Sequence, residues 1–199
     1  MKHGCDEDCK DKKEEKKDEG FGKELLNTRS IIISEEVSEE LAQKVYAQLL
    51  VLNQRSKELP IYVYVNSPGG DADSGFGIYD MMRFVEAPVV TVAVGLCASA
   101  GVTIFLGADK GRNYATPNAR FLLHQPSTGV QGTASDMEIT AEEITKTRER
   151  YNQIVSDITG KSLDALRKDA DRDFWMSAEE ALKYGLVSKI VSKLPEIAQ

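Results

Sequence analysis

Two spacings of apolar residues alternate along the chain. Short runs with every side chain, or every second one, apolar occur at "SIIIS" (30–34), "IYVYV" (61–65), "VVTVAV" (89–94), "RFLLH" (120–124) and "LVSKIV" (186–191), and such runs predict strands. Between them the spacing changes to three and four. Leu41, Val45, Leu49 and Leu52 line one helical face behind Ser38, an N-cap followed by Glu39 and Glu40. "GFGIYDMMRFV" (75–85) continues the helical pattern after the break at "NSPGG" (66–70). A long charged helix is predicted over 136–159, with Met137, Ile144, Tyr151, Ile154 and Ile158 as its apolar contacts and Gly160 as its stop. "SAEEALKYG" (177–185) opens with a capping box between Ser177 and Glu180 and closes on Gly185. Strands alternating with helices imply an α/β layer fold with a mostly parallel sheet.

One stretch resists that simple alternation. Residues 88–108, "PVVTVAVGLCASAGVTIFLGA", carry no charge and are long enough on paper to cross a bilayer. Pro88, a β-branched first half and small residues in the second half divide the stretch into a buried strand ending at Gly95 and a buried helix stopping near Gly107. No membrane association is expected.

Composition narrows the function. A formal charge of -7 and a pI near 5.0 argue against a general nucleic-acid binder. Three cysteines without regular spacing, Cys5, Cys9 and Cys97, and no secretory opening fit a reducing cytoplasm. Residues 1–20 hold fourteen charged side chains and almost nothing apolar, so a flexible tail is expected there, with one folded domain over 21–199. His3, Cys5 and Cys9 offer only three ligands where a structural zinc site usually takes four, so no metal is expected.

The folded part has one histidine, His124, at the end of an apolar strand, where its side chain can face a cleft or serve as a hydrogen-bonded structural residue. Ser99 starts a helix straight after a strand, a place that suits a nucleophile beside free backbone N–H groups and equally suits a plain helix cap. Its surroundings, "CASAG", lack the G-x-S-x-G elbow of α/β-hydrolases. The two glycines of "NSPGG" allow close backbone approach or an ordinary turn. Asp173, in "DADRDFWMS", reads alone as part of a solvated turn ahead of a capped helix.

Together these stretches carry a resemblance. From "RSIIIS" to "LVSKIV" the chain resembles ClpP, the proteolytic-subunit family of the Clp proteases: "YVYVNSPGGDADSGFGIYD", "GLCASAG", "LLHQP" and "DRDFWMSAEEALKYGLV" are similar to its four motifs, in the same order. The resemblance implies the ClpP/crotonase-like fold, repeated strand-helix units with a protruding handle helix, and a serine endopeptidase that needs no cofactor. It implies Ser99 as nucleophile, His124 as base, Asp173 as the acid that orients it, and the backbone N–H groups of Gly69 and Ala100 as oxyanion donors. It further implies substrate contacts at Gly70, Gln125, Pro126, Gly129, Gln131 and Gly132, and docking of an AAA+ unfoldase on Tyr62 and Tyr64. The implied assembly is a pair of stacked seven-membered rings that receives unfolded protein.

Two departures stand out. Ala100 occupies a position that is usually methionine in the family, and the family's apolar N-terminal anchor has no counterpart in residues 1–20. The second departure motivates the expectation of a paralogous partner subunit that supplies axial loops. A non-catalytic ring subunit and a crotonase-like acyl-CoA enzyme are the competing readings, and the intact set of Ser99, His124 and Asp173 argues against both.

Overall fold

The computed structural model describes residues 22–127 and 129–197, so the tail expected over 1–20 lies outside the described residues. Seven strands form one sheet: β1 (Ser30–Ile33), β2 (Ile61–Ser67), β3 (Val89–Ala98), β4 (Asn113–Ala115), β5 (Arg120–Leu123), β6 (Phe174–Ser177) and β7 (Lys189–Ile190). Their order is β1-β2-β3-β4-β7, with β5 attached to β3 and β6 to β5. Every pairing is parallel except β5 with β6. Besides a short helix at 22–27 and a 3-10 turn at Leu194–Glu196, the helices are α1 (Glu39–Arg55), α2 (Ala72–Phe84), α3 (Ala100–Phe105), α4 (Ala134–Thr159), α5 (Leu163–Asp169) and α6 (Ala178–Tyr184). Among the described residues no helix is long and apolar enough to cross a membrane.

Sequence and structure agree on the principal repeats. Ser38 caps α1 by accepting from the Leu41 N–H, and Leu41, Val45, Leu49 and Leu52 are buried. In β2 the alternation is literal: Ile61, Val63 and Val65 are buried in the main core, whereas Tyr62 and Tyr64 are half-buried against a smaller cluster of Val92, Val191 and Ile197. The capping box of α6 joins Ser177 and Glu180 as expected.

Several expectations are corrected. β3 does not end at Gly95 but runs on to Ala98. Gly95, at φ 86°, is a bend within the strand, and its neighbour Leu96 donates its N–H to Asn66 Oδ1 at 2.9 Å. The bend lets the first half of β3 pair with β2 and β4 while Leu96–Ala98 pairs with β5. Met137 is not a core contact of α4: it is 45% exposed, because the N-terminal half of α4 extends beyond the core and only Tyr151, Asn152 and Val155 are buried. Of "LVSKIV" only Lys189–Ile190 is ladder, although Leu186, Val187 and Val191 are buried. The segment around Asp173 is not simply a turn before a helix, since β6 intervenes.

Candidate active site

Three strand ends build the site. β3 delivers Ser99, whose N–H donates to the Leu122 carbonyl of β5 at 3.0 Å, continuing the parallel register of Cys97 with Phe121 and Ala98 with Leu122. β5 delivers His124 one residue after its last ladder position. The antiparallel register of β5 on β6 pairs Leu122 with Trp175 and Leu123 with Phe174, so the residues next in line past the last rung are His124 and Asp173. Beneath the site the Phe105 and Phe121 rings pack with centroids 5.3 Å apart.

Ser99 has φ 55° and ψ -124°, a left-handed conformation that a non-glycine residue rarely holds and that costs about 1–3 kcal/mol. Its side chain makes no capping hydrogen bond to α3, so the plain helix cap is not its role. The turn has the sharp strand-to-helix shape of a nucleophile elbow, with Cys97 in place of that motif's first glycine and Gly101 at the position of its second. Ala100 and Gly101 supply the small residues, both buried against neighbouring backbone. Cys97, two residues away, is no competitor: its side chain is buried, its Sγ contacts the Gly101 carbonyl, and burial pushes the thiol up so that it stays protonated.

A cavity of about 450 Å³ opens beside the elbow, lined in part by Gly70, Phe76, Ser99, Ala100, His124 and Pro126. A second, of about 510 Å³, lies between His124, Pro126 and Asp173. His124 lines both cavities, Ser99 only the first and Asp173 only the second, and among the described residues no direct hydrogen bond joins the three. Asp71 also lines the first cavity, but its carboxylate is engaged as the N-cap of α2, accepting from the Ser74 N–H at 2.7 Å.

The two glycines of the "NSPGG" stretch differ. Gly69 (φ 93°) is buried, and its N–H donates to Ser67 Oγ at 3.2 Å; a Cβ there would stand 2.6 Å from the Ser99 Cβ. Gly70 (φ 143°) is exposed and lines the cavity, while the backbone on either side of it is tied to Val37 by bonds of 2.8 Å. Gln125 donates its amide to Asp171, and Gly129, Gln131 and Gly132 lie on the exposed approach to α4, lining neither cavity.

Sequence reasoning missed the far wall of the first cavity: Ile144, Thr147 and Tyr151 of α4. Their spacing of three and four puts them on one helical face, which was the available signal. The Tyr151 hydroxyl is buried without a partner, and burial pushes its phenol up. Tyr64 lines a separate pocket of about 270 Å³ with Val92, Val94, Pro117, Leu194 and Ile197. Tyr62 does not line it but packs on the same small cluster.

Comparison with known proteins gives a consistent result. The model of the family described as "Clp protease" matches residues 12–194. ATP-dependent Clp protease proteolytic subunit 2 of Treponema denticola is 44% identical over 182 residues, 92% of this chain and 91% of that protein. Proteolytic subunit 3 of Rhizobium meliloti is 50% identical over 192 residues, 94% and 98% of the two chains. A solved ClpP1 mutant from Listeria monocytogenes superposes with a TM-score of 0.82 at 39% identity, covering 89% of this chain and 99% of that one.

Proposed function

The chain belongs to the Clp protease family and is a serine-type proteolytic subunit, and from that premise we propose that Ser99, His124 and Asp173 carry its chemistry. Ser99 Oγ attacks the scissile carbonyl as His124 takes its proton. Asp173 fixes the imidazole orientation and stabilises its cation. His124 then gives the proton to the leaving amine, and water repeats the sequence on the acyl-enzyme. The Ala100 N–H, at the first position of α3, has no intrahelical acceptor and faces the developing oxyanion. The second donor is the N–H of Gly70 rather than that of Gly69. What supports this choice is that Gly70 lines the cavity while the Gly69 N–H is engaged by Ser67.

The observation that carries the reading is the register of β3, β5 and β6, which brings three residues 25 to 74 positions apart in the chain to one edge of the sheet. As a member of the family, the protein is a ring-forming protease that works with Clp ATPases. We take the rings as stacked heptamers, alone or with a paralogous subunit, and the substrates as unfolded polypeptides. Segment 126–132 would hold the substrate backbone, and Tyr64, with Tyr62 behind it, would receive the ATPase. Asp173→Asn keeps the side-chain shape, and a fall in peptide turnover on the order of 10⁴ is expected, as in the best-studied triad. A fall of that size in Asp171→Asn, with Asp173→Asn active, would assign the orienting role to Asp171 and overturn the assignment.

A further inference from the structure

The β5–β6 ladder ends at Leu123 and Phe174. His124 and Asp173 are thus the first pair beyond the last backbone rung, where paired strands are free to splay. One residue further, the Gln125 side chain crosses the gap: Nε2 donates to the Asp171 backbone carbonyl at 2.8 Å and to Asp171 Oδ1 at 3.2 Å. The base and acid are therefore bracketed, by the ladder on one side and by this amide on the other. A carboxamide nitrogen has two N–H groups, and both are used here. Asp171 is drawn to Gln125, which leaves Asp173 as the carboxylate next in line with His124.

We infer that Gln125 is a positioning residue: its amide latches the turn carrying Asp173 onto the end of β5 and so sets the distance between acid and base. The inference rests on the triad reading above and assigns Gln125 a role away from substrate. Loss of the latch slows the chemical step and leaves substrate binding alone, because neither partner of the latch lines the cavity beside Ser99.

The test is steady-state cleavage of a short fluorogenic peptide by the full-length assembled protein in four forms: wild type, Gln125→Met, Gln125→Lys and Asp173→Asn, with particle mass measured for each. Methionine matches the length of glutamine and removes the donor, whereas lysine keeps a donor for both Asp171 oxygens. Gln125→Met is expected to lower kcat roughly tenfold with KM held within about twofold, and Gln125→Lys to return kcat to within about threefold of wild type. Wild-type kcat in Gln125→Met, a loss expressed in KM, or a lysine variant as slow as the methionine variant would each overturn the latch. An inactive Asp173→Asn beside an unimpaired Gln125→Met removes the latch alone. A fully active Asp173→Asn removes the triad reading and the latch together.

Discussion

Ser99 holds a strained backbone conformation without capping its helix, and the cost can be measured. Replacing it by glycine removes both the hydroxyl and the strain, while alanine removes the hydroxyl alone. Against strain of about 1–3 kcal/mol stands a gain in unfolded-chain freedom of about 0.4–1 kcal/mol, so Ser99→Gly is expected to be more stable than Ser99→Ala by about 1 kcal/mol. Comparison of the two variants in denaturant melts checks the difference; a glycine variant less stable than the alanine variant by about 0.4–1 kcal/mol would mean that the elbow is unstrained. Gly69→Ala is a second residue-scale test. The added Cβ would lie 2.6 Å from the Ser99 Cβ and 2.8 Å from the Ala98 carbonyl, at φ 93°. It displaces Ser99 and the backbone beside it, and under the proposed roles a loss of about 10²–10³ in kcat is expected from that misalignment.

At the scale of elements, α4 depends on its first turn. Thr133 Oγ1 donates to Asp136 Oδ2 at 2.7 Å and the Thr133 N–H donates to the same oxygen at 2.9 Å, and these two bonds hold the Asp136 carboxyl below its ordinary value, while the Asp136 N–H donates back to Thr133 Oγ1. A lowered carboxyl contributes stability above its unfolded value of 3.8 and loses it as pH falls through the lower folded value. Thr133→Ala is therefore expected to destabilise the protein at pH 7 and to make a smaller difference near pH 3, read as the gap between melting temperatures; a gap that does not shrink would contradict the account. The elements themselves were mostly legible, because α1, β2, α4 and the capping box of α6 are set by local spacing and local hydrogen bonds, whereas the Thr133–Asp136 box of α4 was not read from the sequence. The bend at Gly95 was not, since a glycine after a β-branched run reads as an end unless its partner Asn66, some thirty residues earlier, is already in place. Strand β6 and the cavity wall on α4 were hidden for a related reason. Strand partners and cavity walls are fixed by long-range packing, which local periodicity does not encode, and the exposed Met137 shows the converse error. Motif resemblance pointed to Ser99, His124 and Asp173, but only the register of β5 on β6 puts His124 and Asp173 next in line past its last rung.

On the whole molecule, the sheet carries two separate hollows. The strand ends carry the Ser99 cavity, and the far face of β2 carries the apolar pocket at Tyr64, whose burial pushes its phenol up. Separate surfaces predict separable defects: Tyr64→Ala should reduce ATPase-driven protein degradation severalfold while short-peptide cleavage stays near wild type, and equal losses in the two assays would place Tyr64 in the fold rather than at the docking surface. The central claim, however, is that one serine is activated by one histidine. The assembled protein should be treated with a fluorophosphonate probe and the adduct located by peptide mass mapping, in wild type and in His124→Ala. The account predicts a single adduct on Ser99 that forms readily in wild type and is nearly absent in His124→Ala; an adduct on another residue, or labelling of Ser99 at an undiminished rate without His124, would contradict it.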